Sequence, residues 1–199
     1  MIEVEIKVKI SNPEKMRKQF REYNGKYKFS LVHEDIYFNM PKGLRDFKKT
    51  DEALRLRKSI EFNKKNKDIK QKVTYFLTYK GKKIDDTTKT REELEVKIEN
   101  IDKMRDLFKN LGFREIFTIK KERELYEFRL NKFQIEVLID FIPILKQYFI
   151  EVEVLLDNRK DLELTKKKLF KFLERFGISK QESIRESYLE LIAKKLNLS

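Results

Sequence analysis

The feature that most constrains this chain is the alternation of charged and aliphatic residues over its first ten positions. Successive side chains of a β-strand point to opposite faces, so Glu3, Glu5 and Lys7 share one face and the aliphatic residues share the other. Polar residues two or four positions apart recur at Arg55, Arg57, Thr78, Lys80, Arg91, Glu93, Glu95, Lys121, Arg123, Glu136, Asp140, Glu151 and Glu153. This pattern predicts a closed antiparallel β-barrel with a charged interior. Because such an interior cannot be a hydrophobic core, we expect it to be a binding site.

Hydrophobic periodicity and capping residues predict the remaining elements and place the chain in the α+β class. Further strands are predicted at residues 27–37, 53–62, 75–80, 91–98, 115–128, 133–141 and 148–155. Helices are predicted at residues 13–23, 102–111, 162–176 and 182–196. We expect one domain over residues 1–199, with the barrel in residues 1–157 and a C-terminal helical pair in residues 158–199.

The charge balance suggests an anionic partner. Charged residues make up 41% of the chain and its formal net charge is +13, which favours nucleic acid, membrane headgroups or a phosphorylated small molecule. The chain has no Cys, no apolar run of about 20 residues and no secretory leader pattern. We therefore expect a cytoplasmic protein that does not associate with a membrane.

The acidic residues of the matching strands suggest a metal site. Carboxylate oxygens are the ligands that Mg²⁺ and Mn²⁺ prefer, and such ions usually bind through a few carboxylates together with substrate phosphates. If the two ends of the barrel sequence meet, the candidate ligands are Glu3, Glu5, Asp140, Glu151 and Glu153. For any single pair of glutamates the alternative is a solvated strand face.

The basic residues of the same parity suggest several phosphate groups. Arg offers a planar fork to phosphate oxygens and Lys offers a point charge. The candidate phosphate ligands are Lys7, Arg55, Arg57, Lys80, Arg91, Lys121 and Arg123, which are more cations than one phosphate requires. Surface ion pairs could explain any one of them, but not why several strands place their charges on one parity. The set therefore predicts a polyphosphate ligand.

Other chemistries fit less well. The only histidine, His33, has no Cys nucleophile and cannot form a His-based metal site, so we interpret it as a structural or rim residue. The sequence contains neither a Walker phosphate loop nor a dinucleotide fingerprint. Nucleic acid is a less favoured partner, because carboxylate pairs beside Tyr37, Tyr75 and Tyr79 would repel phosphate without a metal ion.

Seven short motifs in order resemble the CYTH superfamily of triphosphate tunnel metalloenzymes. They are Glu3-Val4-Glu5-Ile6-Lys7, Asp35-Ile36-Tyr37-Phe38, Leu54-Arg55-Leu56-Arg57, Thr78-Tyr79-Lys80-Gly81, Arg91-x-Glu93-x-Glu95, Lys121-x-Arg123 and Glu151-Val152-Glu153. The segments around His33, Thr118 and Arg185 look most like the class IV adenylyl cyclase branch. One departure is the segment 144–149, where the family usually has a Leu-Gly turn before the last strand.

The resemblance implies an eight-stranded antiparallel tunnel. It also implies that the glutamates of the terminal strands bind Mg²⁺ or Mn²⁺ and that the inner Lys and Arg residues hold a triphosphate. Lys7 and Tyr37 align with a pair that orients or deprotonates water in the triphosphatases, which would make them catalytic.

Three functions remain open from the sequence. The first is cyclisation of ATP to cyclic AMP and pyrophosphate, and the second is hydrolysis of tripolyphosphate, thiamine triphosphate or a nucleoside triphosphate. The third is a binding module for triphosphate or polyphosphate without turnover. The C-terminal helices could also pack on a second subunit, so a homodimer is one possible assembly.

Overall fold

The computed structural model describes residues 2–66, 68–130 and 133–197, and within these residues the chain forms eight β-strands and four α-helices. The strands are β1 (Ile2–Ile10), β2 (Lys26–Asn39), β3 (Ala53–Phe62), β4 (Lys72–Lys80), β5 (Arg91–Ile98), β6 (Arg114–Leu130), β7 (Phe133–Ile142) and β8 (Gln147–Leu156). The helices are α1 (Pro13–Glu22), α2 (Ile101–Asn110), α3 (Leu162–Glu174) and α4 (Tyr188–Lys195). The predicted α+β class is confirmed.

The strands close into one antiparallel barrel in the order β1-β5-β4-β3-β2-β6-β7-β8. Strand β1 pairs with β8 along its whole length, whereas it shares only two residue pairs with β5. Partners across a ladder lie on the same face of the sheet. The register therefore brings together the charged face of each strand, with Glu5 opposite Glu153 and Arg57 opposite Asp35. The predicted barrel with a charged interior is confirmed.

Two hydrophobic clusters lie outside the barrel. Val4 and Ile6 on the aliphatic face of β1 are fully buried and belong to one cluster with Phe20 of α1 and with Leu169 and Phe172 of α3. A separate cluster joins Phe108 of α2 to the outer faces of β2 and β3. Burial of apolar surface under the three helices stabilises the barrel and leaves its interior free for polar side chains.

The C-terminal segment differs from the sequence-based prediction. A helix was predicted over residues 182–196, but α4 begins only at Tyr188, where the Ser187 side chain accepts a hydrogen bond from the Glu190 amide. Before it, Ser183 forms a β-bridge with Val8, and the Ile184 amide donates to the Lys7 carbonyl over 2.7 Å. These contacts with β1 hold the segment extended and override its helical periodicity.

Helix α4 covers one end of the barrel. Tyr188 and Ile192 are buried in a cluster with Ile119, Ile142 and Phe149. This apolar cluster closes the interior beside the polar residues of β1 and β6.

The turn before β8 adopts the conformation that a glycine would favour. Lys146 follows a short 3₁₀ turn at Pro143–Leu145 and has a φ of +53°, in the left-handed region. The chain thus keeps the local backbone shape where its sequence departs from the Leu-Gly pattern, although a non-glycine residue is strained there by about 1–2 kcal/mol. Within the described residues, no helix is both long and apolar enough to cross a membrane.

Candidate functional site

The interior of the barrel contains a cavity of about 560 Å³. This volume lies in the range of about 300–1,000 Å³ that is typical of small-molecule sites. Of the residues proposed from the sequence, those that line the cavity are Glu3, Glu5, Tyr37, Arg55, Arg57, Lys80, Arg91, Lys121, Arg123, Glu151 and Glu153. Seven strands therefore bring eleven of the thirteen proposed residues to one space.

Three glutamates form an acidic cluster on one wall of the cavity. Carboxylate oxygens of Glu3, Glu5 and Glu153 all lie within 4.8 Å of one another. Burial and the neighbouring Glu151 raise the pKa of Glu5 to about 7. Burial and the nearby Glu3 hold the pKa of Glu153 well above its usual range. Bringing these carboxylates together therefore disfavours their ionised forms.

This cluster fits a divalent metal ion. It offers hard oxygen ligands from two paired strands, which are the donors that Mg²⁺ and Mn²⁺ prefer. A cation at this position would also relieve the repulsion that raises the carboxylate pKa values. Glu3, Glu5 and Glu153 could therefore hold a metal ion.

The opposite wall carries arginines fixed by a buried carboxylate. Asp35 accepts hydrogen bonds from Arg57 at 2.6 and 2.9 Å and from Arg55 at 3.4 Å. Although burial opposes ionisation, Arg57, Arg55 and Lys121 together hold the pKa of Asp35 well below its usual range. Asp35 is thus a permanent anion that orients two guanidinium groups toward the cavity.

A second set of cations is fixed between acidic residues. Arg123 donates to both oxygens of Asp140 at 2.7 and 2.8 Å and also to Glu151. Lys80 donates to Glu3 over 3.0 Å and to Glu93. These pairs hold Arg123 and Lys80 beside the acidic cluster. One ligand could therefore contact these cations and a metal ion on the carboxylates at the same time.

Lys121 is influenced by two neighbouring arginines, Arg57 and Arg123. Burial, Arg123 and Arg57 lower the pKa of Lys121 to about 7. Its nearest anionic partner is Asp35, at 3.4 Å. A phosphate group would therefore favour the charged form of Lys121.

Two of the proposed residues do not line the cavity. Lys7 is fully buried; its ammonium donates to the Glu186 carbonyl and lies 4.3 Å from the centroid of the Tyr188 ring. Asp140 is also fully buried and accepts a hydrogen bond from the Tyr188 hydroxyl over 2.8 Å, in addition to those from Arg123. The C-terminal segment thus covers both residues.

Among the cavity-lining residues that sequence reasoning missed, Lys89 and Tyr188 have the most contacts with the proposed site residues. Lys89 comes from the loop between β4 and β5 and donates to Glu5 and Glu151, and Tyr188 comes from the start of α4. Neither carries a strand-like signal, because one lies in a polar loop and the other has the spacing of a helix face. His33, expected to be structural or at the rim, is buried beneath the cations, and burial lowers its pKa far below the usual value.

A closed eight-stranded tunnel with an acidic and a basic wall defines the class of charged-tunnel β-barrel proteins. The chain belongs to the CYTH domain family, whose model matches residues 1–188. It is 43% identical over 192 residues to a Methanocaldococcus jannaschii protein named "Putative adenylate cyclase MJ0240", covering 96% of this chain and 98% of that protein. The family resemblance is confirmed.

Solved structures share the same fold. The PH1819 protein from Pyrococcus horikoshii OT3 is 38% identical, with a TM-score of 0.82 over 97% of this chain and 99% of that chain. A Hippeastrum protein described as a putative adenylyl cyclase with a dominant triphosphatase activity is 17% identical, with a TM-score of 0.64 over 97% of this chain and 96% of that chain. At that identity the likeness concerns the fold alone.

Proposed function

We propose that this protein is a metal-dependent enzyme that acts on a triphosphate inside the barrel. The observation that carries the proposal is the opposition of two walls across one cavity, with a three-carboxylate cluster on one side and arginines fixed by Asp35 on the other. A metal ion matches the acidic wall and a chain of phosphates matches the basic wall. The positive ion and the negative phosphates would also neutralise each other. Mg²⁺ or Mn²⁺ would neutralise charge on phosphate oxygens during transfer.

We assign binding roles to the residues that face the cavity. Glu3, Glu5 and Glu153 would hold the ion, while Glu151 and Asp140 remain candidate ligands that in this structure pair with Arg123. The triphosphate would contact Arg55, Arg57, Lys80, Arg91, Lys121 and Arg123, all of which line the cavity. Fixed cations of this kind stabilise charge that develops on phosphate oxygens in the transition state.

The reaction we favour is cyclisation of ATP. The ribose 3′ oxygen attacks the α-phosphorus, the bond from that phosphorus to the bridging oxygen of the β-phosphate breaks, and the products are cyclic AMP, pyrophosphate and a proton. The name of the 43% identical relative supports this choice. The position of Lys7 also supports it, because the group proposed to activate water is covered by Tyr188 and donates to a backbone carbonyl. In cyclisation the nucleophile belongs to the substrate.

Hydrolysis of the terminal phosphate is the second candidate. Burial and the nearby Lys89 lower the pKa of Lys7 to about 7, which would let it accept a proton near neutral pH. The Hippeastrum protein of the same fold is described with a triphosphatase activity. If Lys7 and Tyr37 are catalytic, Lys7→Arg and Tyr37→Phe should each slow phosphate release by about 100-fold or more.

A product assay decides between these functions. The protein is incubated with ATP or with tripolyphosphate in the presence of Mg²⁺ or Mn²⁺, with and without EDTA, and the products are separated by chromatography. Metal-dependent cyclic AMP with an equal amount of pyrophosphate supports cyclisation, and metal-dependent ADP and phosphate support hydrolysis. Binding of both ATP and tripolyphosphate without any product from either would overturn the enzyme proposal and favour a triphosphate-binding module.

A further inference from the structure

Lys89 enters the barrel because the loop before β5 continues the pairing with β1. The regular pairing of β1 with β5 ends at Glu3 and Arg91. Two residues further along β1, the Lys89 amide donates to the Glu5 carbonyl over 2.9 Å. Lys89 is two residues from Arg91, just as Glu5 is two residues from Glu3. Its side chain therefore shares the interior face with both glutamates.

The loop that carries Lys89 is held in place by hydrogen bonds within the loop, by α3 and by the C-terminal segment. Asp85 accepts hydrogen bonds from the amides and hydroxyls of Thr87 and Thr88 at 2.7–2.9 Å, and it pairs with Lys166 of α3. The Ser183 hydroxyl donates to the Thr87 carbonyl over 2.9 Å. Lys89 is thus held at a defined place next to β1.

The Lys89 ammonium lies between two buried carboxylates. It donates to Glu5 and, over 3.1 Å, to Glu151, and all three residues are less than 10% exposed. Glu5 also belongs to the cluster with Glu3 and Glu153. A carboxylate has two oxygens, so Glu5 can face Lys89 with one and a metal ion with the other.

This arrangement resembles the layout of a two-metal site with one ion replaced. Enzymes that use two ions for displacement at phosphorus hold them about 3.5–4 Å apart, one on each side of the reacting group. Here Glu5 belongs to two groups. It is part of the three-carboxylate cluster, which fits one ion, and it also forms a pair with Glu151 that the Lys89 ammonium group already bridges.

We propose that Lys89 supplies the second cation of the site, so that the tunnel takes up one divalent ion instead of two. The proposal rests on the metal site assigned above. Lys89 then acts as a positioning residue that holds the carboxylates of Glu5 and Glu151 in place. Removing its charge opens a second position for a divalent ion between those two glutamates.

The test is the stoichiometry of Mn²⁺ binding without nucleotide, measured by calorimetry and by electron paramagnetic resonance. We expect one ion per chain in the unaltered protein and in Lys89→Arg, and two ions in Lys89→Met. Two ions within the same barrel should also broaden the resonance. The matched control is Lys48→Met, which removes another cavity-lining lysine that is exposed, and it should bind one ion.

Two outcomes overturn different claims. If Lys89→Met binds one Mn²⁺ ion per chain or fewer, the role of Lys89 is overturned. The assignment of the metal site still stands in that case, provided that the unaltered protein binds one ion. An unaltered protein that binds no Mn²⁺ overturns the metal site itself. Lys89→Gln, which keeps a hydrogen-bond donor, is measured in parallel in case Lys89→Met does not fold, and it should also bind two ions.

Discussion

Lys121 is a residue whose charge depends on its surroundings in the tunnel. Its pKa is lowered to about 7 by burial and by Arg123 and Arg57, whereas a free lysine titrates near 10.5. Asp35 at 3.4 Å opposes this shift without cancelling it. The ammonium form is therefore lost above neutral pH in the free protein, and a bound triphosphate would restore it.

We predict that triphosphate binding weakens as the pH rises. Binding takes up a proton at Lys121 above pH 7, so the affinity should fall by up to about tenfold per unit between pH 7.5 and 9. Calorimetry with tripolyphosphate in buffers of different ionisation enthalpy measures both the affinity and the proton uptake.

Lys121→Arg separates this effect from the other titrations in the site. Arg stays protonated throughout the range, so the part of the proton uptake that belongs to Lys121 should disappear and the affinity should vary less with pH than in the unaltered protein. The same pH dependence in Lys121→Arg would contradict the assignment to Lys121.

At the acidic wall we predict that Glu153→Gln removes the response to metal. At 100 times its dissociation constant, Mn²⁺ should raise the free energy of unfolding of the unaltered protein by about 2.7 kcal/mol, and Glu153→Gln should lose most of this gain. In EDTA the variant should be no less stable than the unaltered protein, because burial and Glu3 raise the pKa of Glu153 and disfavour its charge. Thermal unfolding with and without Mn²⁺ measures both.

Glu136→Gln is the matched control for this substitution. Glu136 faces Glu153 across the β7–β8 ladder and lines the cavity, but it lies outside the three-carboxylate cluster. Its variant should keep the Mn²⁺ response. If both variants lose the Mn²⁺-dependent gain in stability equally, Mn²⁺ binding depends on the overall charge of the cavity and not on the three-carboxylate cluster.

At the scale of elements, β1 was predicted correctly from the sequence, whereas the last helix was predicted with a start at residue 182 instead of Tyr188. The two-residue period of a strand assigns Glu3 and Glu5 to one face whatever strand lies beside it. The Ser187–Glu190 capping box marks the true start of α4, but the helical periodicity of the preceding residues hid it, and contacts of Ser183 and Ile184 with β1 hold those residues extended. Lys89 was missed because a polar loop has no periodicity.

The cap formed by α4 leads to a prediction about Lys7. Ile192 is fully buried against the apolar cluster at the barrel end, so Ile192→Ala should lower the free energy of unfolding by about 2–5 kcal/mol. Local opening of α4 should also expose the Lys7 amine. Labelling with an amine reagent followed by mass spectrometry should show faster modification of Lys7.

Leu196→Ala provides the control at the end of α4. Leu196 is 41% exposed, so its truncation should change stability by less than about 0.5 kcal/mol and leave Lys7 labelling unaltered. Similar labelling of Lys7 in the two variants would show that α4 does not protect it.

At the scale of the whole molecule, the fold reverses the usual distribution of residues. Helices α1, α2 and α3 bury the outer face of the barrel, while its interior holds carboxylates and cations that balance one another. The shared parity of charged residues predicted this inversion. It could not predict how the charges pair, because the partners of Asp35, Arg123 and Lys89 depend on strand order and register.

The central claim is that the tunnel holds a chain of phosphates against a metal ion, and a series of ligands tests it most directly. Calorimetry with Mn²⁺ compares phosphate, pyrophosphate and tripolyphosphate. Each added phosphate reaches further fixed cations, and a charge-assisted hydrogen bond contributes about 1.5–3 kcal/mol, so the affinity should rise by at least about tenfold at each step. Equal affinities for the three ligands, or no binding of tripolyphosphate, would contradict the account.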